Sequence, residues 1–158
     1  MAEEKTNVMR ILDKAKITYK HYTYEGDGTA TGAEVAEKLN QNPAQVFKTL
    51  VTVGKSKNYY VFVVPVEKEL SLKKAAISVG EKSIEMIKSK DLLAVAGYIH
   101  GGCSPIGMKK RYKTTIDRQA EEFDTIIFSA GKIGHQVQLS IEDLKKIIDF
   151  QISDITET

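Results

Sequence analysis

Helical periodicity recurs in five segments of this chain. Thr6 precedes an apolar stripe of helical spacing, and Thr31-Gly32-Ala33-Glu34 has the pattern of a capping box, in which the Thr and Glu side chains each bind the other's backbone N–H. Gly80 and Gly97 follow the third and fourth segments, and glycine is the residue that most readily ends a helix. The predicted helices begin behind Thr6 and Thr31, at Ser71, at Ser89 or Asp91, and behind Ser140, the last of them containing Leu144, Ile147 and Ile148.

Runs of apolar residues between these helices predict strands. The third run, from Tyr59 to Val64, is apolar almost throughout, which is typical of a central strand buried on both faces. The polar residues 54–58 join it to the preceding run as a hairpin. Antiparallel hairpins interspersed with helices predict an α+β fold, with one mixed sheet that is curved or partly closed and is flanked by helices. The predicted strands are residues 18–24, 46–53, 59–64, 125–129 and 136–139.

Size and composition are those of an ordinary globular protein. The 158 residues, 42% of them apolar and 28% charged, suit a single domain over residues 1–158. No stretch of 18 apolar residues exists to span a membrane, and the charged N-terminus lacks the apolar centre of a signal peptide. The single cysteine cannot form an internal disulfide, so we expect a cytoplasmic protein. The three histidines are far apart in sequence, and neither a metal nor a cofactor is predicted.

Lys48 interrupts the apolar face of the second predicted strand. Side chains alternate across a strand, so Lys48 shares its face with Val46 and Leu50. Such a lysine either extends its ammonium to solvent at the sheet edge, which is the commoner case, or is held in a pocket where its charge has a function. The strand pattern alone favours the first interpretation.

A glycine-rich segment at residues 101–107 predicts a tight loop with little side-chain bulk. Gly101 and Gly102 would let a ligand approach the backbone and its N–H groups closely, although ordinary turns have the same composition. Cys103 follows them, but a catalytic thiol needs a depressed pKa and a base within reach, so we expect this residue to fill space. Ser104 and Ser129 lie outside any nucleophile-elbow pattern and are expected to bond their own turns.

Positive charge is concentrated behind this loop, although the net charge of the chain is only +2. Residues 101–118 contain five basic residues and a single acidic one. Lysine suits non-specific contact with phosphate better than base recognition, so this stretch is a candidate RNA-binding surface. A solvated, lysine-rich face is the commoner explanation of such a stretch. The candidate residues are Lys109, Lys110, Arg111 and Lys113.

Taken together, these segments resemble the YbaK family of free-standing editing proteins, which deacylate mischarged tRNA and are related to the editing domain inserted in some prolyl-tRNA synthetases. No single motif is specific, but the matches follow the family's order and approximate spacing from about Thr6 to the C-terminus. Family members commonly carry an aliphatic residue at position 103, so Cys103 is a departure. The matching segments are Tyr22-Thr23-Tyr24, Asn42-Pro43, residues 46–50, residues 72–76, Gly97-Tyr98, Gly101-Gly102, Ser104-Pro105, Gly107, residues 109–111, Ser129 and Gly131-Lys132.

The resemblance implies an α+β editing domain that needs no nucleophile of its own. In the best-known branch of the family the misattached amino acid is cysteine, whose thiol attacks its own ester carbonyl and leaves as a cyclic thiolactone. The protein then supplies orientation and charge stabilisation. The resemblance implies Lys48, Gly101 and Gly102 as catalytic residues, Tyr24, Ser104 and Ser129 as substrate-binding residues, and Lys109, Lys110, Arg111 and Lys113 as tRNA-binding residues.

The implied reaction is removal of Cys from tRNA(Pro), with Cys-tRNA(Cys) as a further substrate, beside prolyl-tRNA synthetase as partner. Three alternatives stay open: a deacylase for another small aminoacyl-tRNA such as Ala-tRNA(Pro), a catalytically silent module that binds tRNA or a synthetase, and a thiol hydrolase that uses Cys103. The presence of both Lys48 and the Gly101-Gly102 loop argues against the silent module. The lack of an identifiable base argues against the thiol hydrolase.

Overall fold

A computed structural model describes residues 5–157, which contain five α-helices, eight strands and one 3-10 helix. The α-helices are α1 (Asn7–Lys14), α2 (Gly32–Lys38), α3 (Leu72–Val79), α4 (Ser89–Ala96) and α5 (Ile141–Leu144). The strands are β1 (Lys20–Thr23), β2 (Phe47–Gly54), β3 (Tyr59–Pro65), β4 (Ile84–Met86), β5 (Lys113–Asp117), β6 (Ile126–Ser129), β7 (His135–Leu139) and β8 (Gln151–Ser153), with the 3-10 helix at Arg118–Glu122.

The strands divide into two sheets, where one sheet was predicted. An antiparallel sheet of three strands has the order β1-β7-β6, and a mixed sheet of five has the order β4-β2-β3-β5-β8. In the mixed sheet β2 pairs antiparallel with β3 and β4, whereas β5 pairs parallel with β3 and β8. A single parallel bridge between Val46 and Ile127 joins the two sheets. The predicted α+β class, with mixed strand pairing and flanking helices, is confirmed.

Local signals in the sequence set most helix ends. The Thr6 hydroxyl accepts from the Met9 N–H at 3.2 Å, and the capping box at Thr31 is complete. Ser71 caps α3, which ends at Gly80 in the left-handed region at φ +73°. A side chain at this φ would be strained, which explains why glycine ends this helix.

The last predicted helix is wrong in length, because α5 ends at Leu144. Ile147 and Ile148 lie beyond it and pack against the main core from an irregular segment. Strands β4, β5 and β8 are not among the strands predicted from the sequence. Strands β4 and β8 have only three residues each, and β5 begins in the basic stretch, where charge hides its alternation.

The two faces of the mixed sheet bury different cores. Phe47 and Val51 of β2 belong to the main core, which also contains Val8 of α1 and Leu144 of α5. Leu50 packs on the opposite face against a smaller cluster that includes Ala75 of α3. β3 is buried on both sides between β2 and β5, as its apolar run predicted. Within residues 5–157, no helix is long and apolar enough to cross a membrane.

Candidate active site

Lys48 is the second residue of β2 and lies opposite Val64 of β3, on the face that carries Leu50. Its Nζ is 3.8 Å from Oε1 of Glu69, and the two side chains are 30% and 84% exposed. The ammonium therefore lies at the rim of the apolar face, next to a carboxylate that water screens. Exposed ion pairs contribute little to stability, so an anionic ligand can replace Glu69 at small cost.

The β6–β7 hairpin lies beside this lysine. β2 and β6 are joined by the parallel bridge between Val46 and Ile127, and both chains continue in the same direction from it. Lys48 and Ser129 are each two residues beyond the bridge and so lie on the same side as the bridged residues. The hairpin thus carries one predicted substrate-binding residue towards the predicted catalytic cation.

A row of polar side chains crosses the three-stranded sheet at this point. Ser129 pairs with Gln136, which pairs with Tyr22 in turn. Gln136 is buried, and its Oε1 accepts from Nε2 of Gln41 at 2.8 Å. Oε1 of Gln41 is buried without a hydrogen-bond partner in the described part of the chain. Tyr22 packs against the cluster of Ala36, Val46 and Ile127, so this row shares the face of the interface with Lys48.

Tyr24 follows β1 and is fixed to the turn of the same hairpin. Its N–H donates to the carbonyl of Gly134 at 3.0 Å, and its side chain is half-buried. A Cβ atom on Gly134 would lie 2.9 Å from the carbonyl oxygen of Tyr24, so only glycine fits there. Tyr24 has the same parity along the chain as Tyr22, which places both rings on one face.

The glycine-rich loop packs on the other end of this turn. The Gly102 N–H donates to the Ile99 carbonyl at 3.0 Å, and this bond closes a turn with Gly101 at its third position, at φ +87°. Such a turn requires glycine at that position. A Cβ atom on Gly102 would lie 3.2 Å from the Ile133 N, and one on Gly101 would lie 3.4 Å from Cα of Gly28. Three backbone segments therefore meet where side chains would separate them.

The two glycines differ in what their N–H groups can do. The N–H of Gly102 is used within the turn. Across residues 5–157, the N–H of Gly101 donates to no other group, and Gly101 is exposed. Of the two N–H groups expected to face a ligand, only that of Gly101 is available for one, while Gly102 provides close packing; the catalytic roles of both stay predictions.

Both predicted serines bond their own turns. The Ser104 Oγ is fully buried and accepts from the Ile106 N–H at 3.3 Å. The Ser129 Oγ accepts from the Gly131 N–H at 3.1 Å, but Ser129 is only half-buried. Ser104 thus supports the loop from beneath, whereas Ser129 keeps an exposed side beside the Lys48 strand.

Cys103 has none of the features of a catalytic thiol. Burial raises the pKa of its thiol from the ordinary 9.0 to about 12. The thiol has no hydrogen-bond partner among residues 5–157, and His100 is exposed. Neighbouring Tyr98 donates its hydroxyl to the Ile106 carbonyl, and burial, followed by the charge of Cys103, raises its pKa to about 12. The Cys103 thiol is therefore protonated at neutral pH, which is the state that cannot attack an ester.

The basic stretch leads into β5, which is separated from the Lys48 strand β2 by β3. All four of its predicted tRNA-binding side chains are exposed. Lys110, Arg111 and Lys113 line a groove of about 730 Å³. The Lys109 side chain instead lies along the end of α4, where a Cβ atom on Gly97 would be 3.1 Å from it. The described residues contain no cluster of three or more side chains that could hold a metal ion.

Sequence reasoning missed Gly28, Gln41 and Glu69 as parts of this region. Gly28 has φ +91°, and a Cβ atom there would lie 2.7 Å from the Ile133 side chain. The Gly26-Asp27-Gly28 segment has turn composition, so its glycine could have been identified. Gln41 and Glu69 gave no signal, because only the fold brings them to Gln136 and Lys48.

Comparisons with known proteins identify the family of this chain. Residues 27–147 match the family model described as the aminoacyl-tRNA editing domain. A relative from Enterococcus faecalis, named "Putative Cys-tRNA(Pro)/Cys-tRNA(Cys) deacylase EbsC", is 44% identical over 155 residues, which cover 98% of this chain and 94% of that protein. The predicted YbaK-type editing family is thereby confirmed.

Solved structures share the fold at low sequence identity. A structure described as a "putative trans-editing enzyme for prolyl tRNA synthetase" has a TM-score of 0.81 and 20% identity, covering 98% of this chain and all (100%) of that chain. The structure of hypothetical protein APE2540 has a TM-score of 0.85 and 18% identity, covering 95% and 99%. From the family match and the 44% identical relative together, this chain belongs to the aminoacyl-tRNA editing domain family.

Proposed function

We propose that this chain is a trans-acting aminoacyl-tRNA deacylase and that Cys-tRNA(Pro) is its principal substrate, with Cys-tRNA(Cys) as a second one. The observation that carries the proposal is the 44% identity over nearly the whole chain to a protein named for these two substrates. The tRNA substrate makes the cytoplasm the expected location and prolyl-tRNA synthetase the expected partner.

The chemistry that fits this site uses the thiol of the substrate. That thiol attacks the carbonyl carbon of its own ester, a C–S bond forms, and the C–O bond to the terminal ribose breaks. The thiol proton passes to the departing ribose oxygen, so the products are a cyclic thiolactone and free tRNA. The protonated Cys103 supports this route, because an enzyme thiol with a pKa near 12 is not available as nucleophile.

Two groups of the chain are proposed to assist this step. The Lys48 ammonium, with its exposed partner Glu69, stabilises negative charge at the carbonyl or binds the terminal phosphate. The Gly101 N–H acts as a hydrogen-bond donor to the developing oxyanion; one such donor contributes about 3–4 kcal/mol in comparable enzymes. Tyr24 and Ser129 border the aminoacyl group, and the Gly102 turn holds the loop in place.

A deacylation panel tests the proposal. The purified protein is incubated with Cys-, Ala-, Ser- and Pro-tRNA, and the small products are identified by mass spectrometry. We expect fast release from Cys-tRNA(Pro) with a thiolactone as the first product. Equal release from Ala-tRNA(Pro) would mean that water attacks and that the substrate thiol is not the nucleophile. Absence of release from every substrate would leave a tRNA-binding module as the function.

A further inference from the structure

The 730 Å³ groove plays no part in the proposed reaction. Its sides are two chain segments: residues 105–114, which lead into β5, and residues 145–151, which lead into β8. β5 and β8 are parallel neighbours with Thr115 opposite Gln151, so the two segments reach the sheet side by side. The groove therefore lies between the two segments that immediately precede the neighbouring strands β5 and β8.

Both sides of the groove carry positive charge. Asp149 is the one acidic residue in its lining. Lys146 is partly neutralised by Asp143, whose carboxylate lies 3.0 Å from its Nζ. The other four cations form no ion pair within the described range 5–157, so their charges are available to a ligand. The basic lining residues are Lys110, Arg111 and Lys113 on one side and Lys145 and Lys146 on the other.

The groove has an apolar floor as well as charged sides. Its apolar lining residues are half-buried and pack against the main core, so the floor is fixed by the fold. Helix α5 ends at Leu144, and the chain that follows it, beginning with Lys145 and Lys146, lines the groove. A polyanion with apolar sugar carbons fits such a surface. The floor residues are Met108, Tyr112, Ile147, Ile148 and Phe150.

The groove is adjacent along the chain to the glycine-rich loop of the candidate active site. Pro105 and Ile106 line it, and they follow immediately after the Gly101–Ser104 loop. The segment that carries the Gly101 N–H therefore goes on to form one side of the groove. This continuity favours the substrate RNA over an acidic segment of a protein, which would have no reason to adjoin the aminoacyl site.

We propose that this groove binds the sugar-phosphate backbone of the tRNA beyond its aminoacylated end, with Lys145 and Lys146 as phosphate contacts. The proposal rests on the proposed function, because it takes the substrate to be an aminoacyl-tRNA. It adds a second basic side, remote in sequence from the stretch at residues 109–113, to the RNA-binding surface. Affinity for tRNA therefore depends on both sides of the groove.

The test compares Lys145→Ala/Lys146→Ala with the matched control Lys55→Ala/Lys82→Ala. Lys55 and Lys82 are exposed neighbours beside the β2–β3 turn, at the opposite end of β2 from Lys48. Binding of uncharged tRNA is measured by fluorescence anisotropy from about 50 to 200 mM salt. Loss of two phosphate contacts makes the slope of log affinity against log salt shallower by about two. From the lowest to the highest salt, the affinity of the variant should therefore fall by a factor that is roughly ten times smaller than the factor for wild type.

The control should match wild type in affinity and slope. Unchanged tRNA binding in Lys145→Ala/Lys146→Ala overturns the proposal. If this variant also loses binding to a polyglutamate peptide while tRNA binding stays intact, the groove is a docking site for an acidic protein segment. Because uncharged tRNA undergoes no reaction, the outcome is independent of the deacylation panel. If tRNA binding depends on the groove but no deacylation is found, the proposed reaction is wrong and the groove proposal stands. If deacylation is found but tRNA binding does not depend on the groove, the groove proposal is wrong and the proposed reaction stands.

Discussion

At the scale of single residues, Lys48 combines a fixed backbone position with a replaceable partner. Its position opposite Val64 is set by the register of two long strands, so its Cα cannot shift without disturbing the sheet. Its ammonium, however, is paired only with the exposed Glu69 at 3.8 Å. A buried carboxylate would hold the charge for structural purposes, whereas this one leaves it accessible. That combination is what a substrate-binding cation requires.

Lys48→Ala should abolish most deacylation while leaving the fold intact. Removal of one group that stabilises transition-state charge costs about 10²–10³-fold in kcat, and loss of an exposed ion pair changes stability little. Lys48→Arg should recover part of the rate, because the charge remains but its geometry changes. The measurement is single-turnover deacylation beside a melting curve, with Lys55→Ala as control. Wild-type turnover in a folded Lys48→Ala variant would show that this lysine only extends its ammonium to solvent and has no role in catalysis.

Cys103→Ala should keep most of the activity, because burial holds the thiol protonated. In the folded protein, alkylation of Cys103 by iodoacetamide should keep accelerating above pH 9.0 towards a pKa of about 12. Since the folded pKa is above the unfolded value, the stability gained from this thiol is complete below the unfolded pKa and is lost as pH rises. Wild type should therefore lose stability relative to Cys103→Ala in alkali. A covalent aminoacyl adduct on Cys103 would contradict this assignment.

At the scale of elements, the β6–β7 hairpin is what assembles the site. Its first strand meets β2 at the bridge between Val46 and Ile127, and its turn meets the glycine-rich loop at Gly102. Tyr24 is bonded to the same turn through Gly134. Three segments that are distant in sequence are thus positioned by one hairpin, so small changes in its turn displace the loop relative to Lys48.

Gly102→Ala should lower activity by more than its loss of stability explains. The added Cβ would lie 3.2 Å from the Ile133 N and would push the loop away from the turn. A contact of this length requires a shift of a few tenths of an ångström. Because a displacement near 1 Å costs about 100-fold in rate, we expect a loss of roughly several-fold in rate, together with about 1–3 kcal/mol of overpacking. The control is Gly80→Ala, at φ +73° in open space, which strains the backbone by about 1–2 kcal/mol without touching the site. Equal activity losses in both variants would show that only stability matters.

The elements that sequence reasoning found are those with local signals. The hydroxyls of Thr6, Thr31 and Ser71 and the left-handed Gly80 act within one turn of helix, so the sequence contains all that specifies them. The short strands β4 and β8 depend on partners far away in the chain, as do the contacts of Lys48 with Glu69 and of Gln136 with Gln41. Such pairings are set by the packing of the whole fold, and no periodic pattern in the sequence reveals them.

At the scale of the whole molecule, one chain segment links the predicted catalytic loop to the concentration of positive charge. The segment from Gly101 to Lys113 leaves the candidate active site, forms one side of the groove and becomes β5. A net charge of only +2 gives no general attraction to RNA, so affinity depends on this local concentration. The single domain stays a prediction, and so do the four tRNA-binding residues, which binding data can test.

Replacing Lys109 and Lys110 together with Ala should raise the KM for mischarged tRNA and flatten its salt dependence, with kcat at saturation nearly unchanged. Each phosphate contact contributes about 0.9 to the slope of log affinity against log salt for a duplex. Lys110 lines the groove whereas Lys109 lies along α4, so the single variant Lys110→Ala should account for most of the effect. The measurement is deacylation at low and moderate salt for both single variants and the double variant.

A sharp fall in kcat with an unchanged salt slope would assign the opposite role to these lysines. Lys109 lies beside Gly97, four residues before the Gly101 turn, and its N–H donates to the Ala96 carbonyl at 3.2 Å. Lys109→Ala keeps this backbone bond but removes the side chain that packs on Gly97, and that loss of packing would loosen the loop that carries the Gly101 N–H. In that case Lys109→Ala would lower kcat and Lys110→Ala would not. Because the two lysines are neighbours in sequence but lie on different surfaces, their single variants separate support of the loop from attraction of the tRNA.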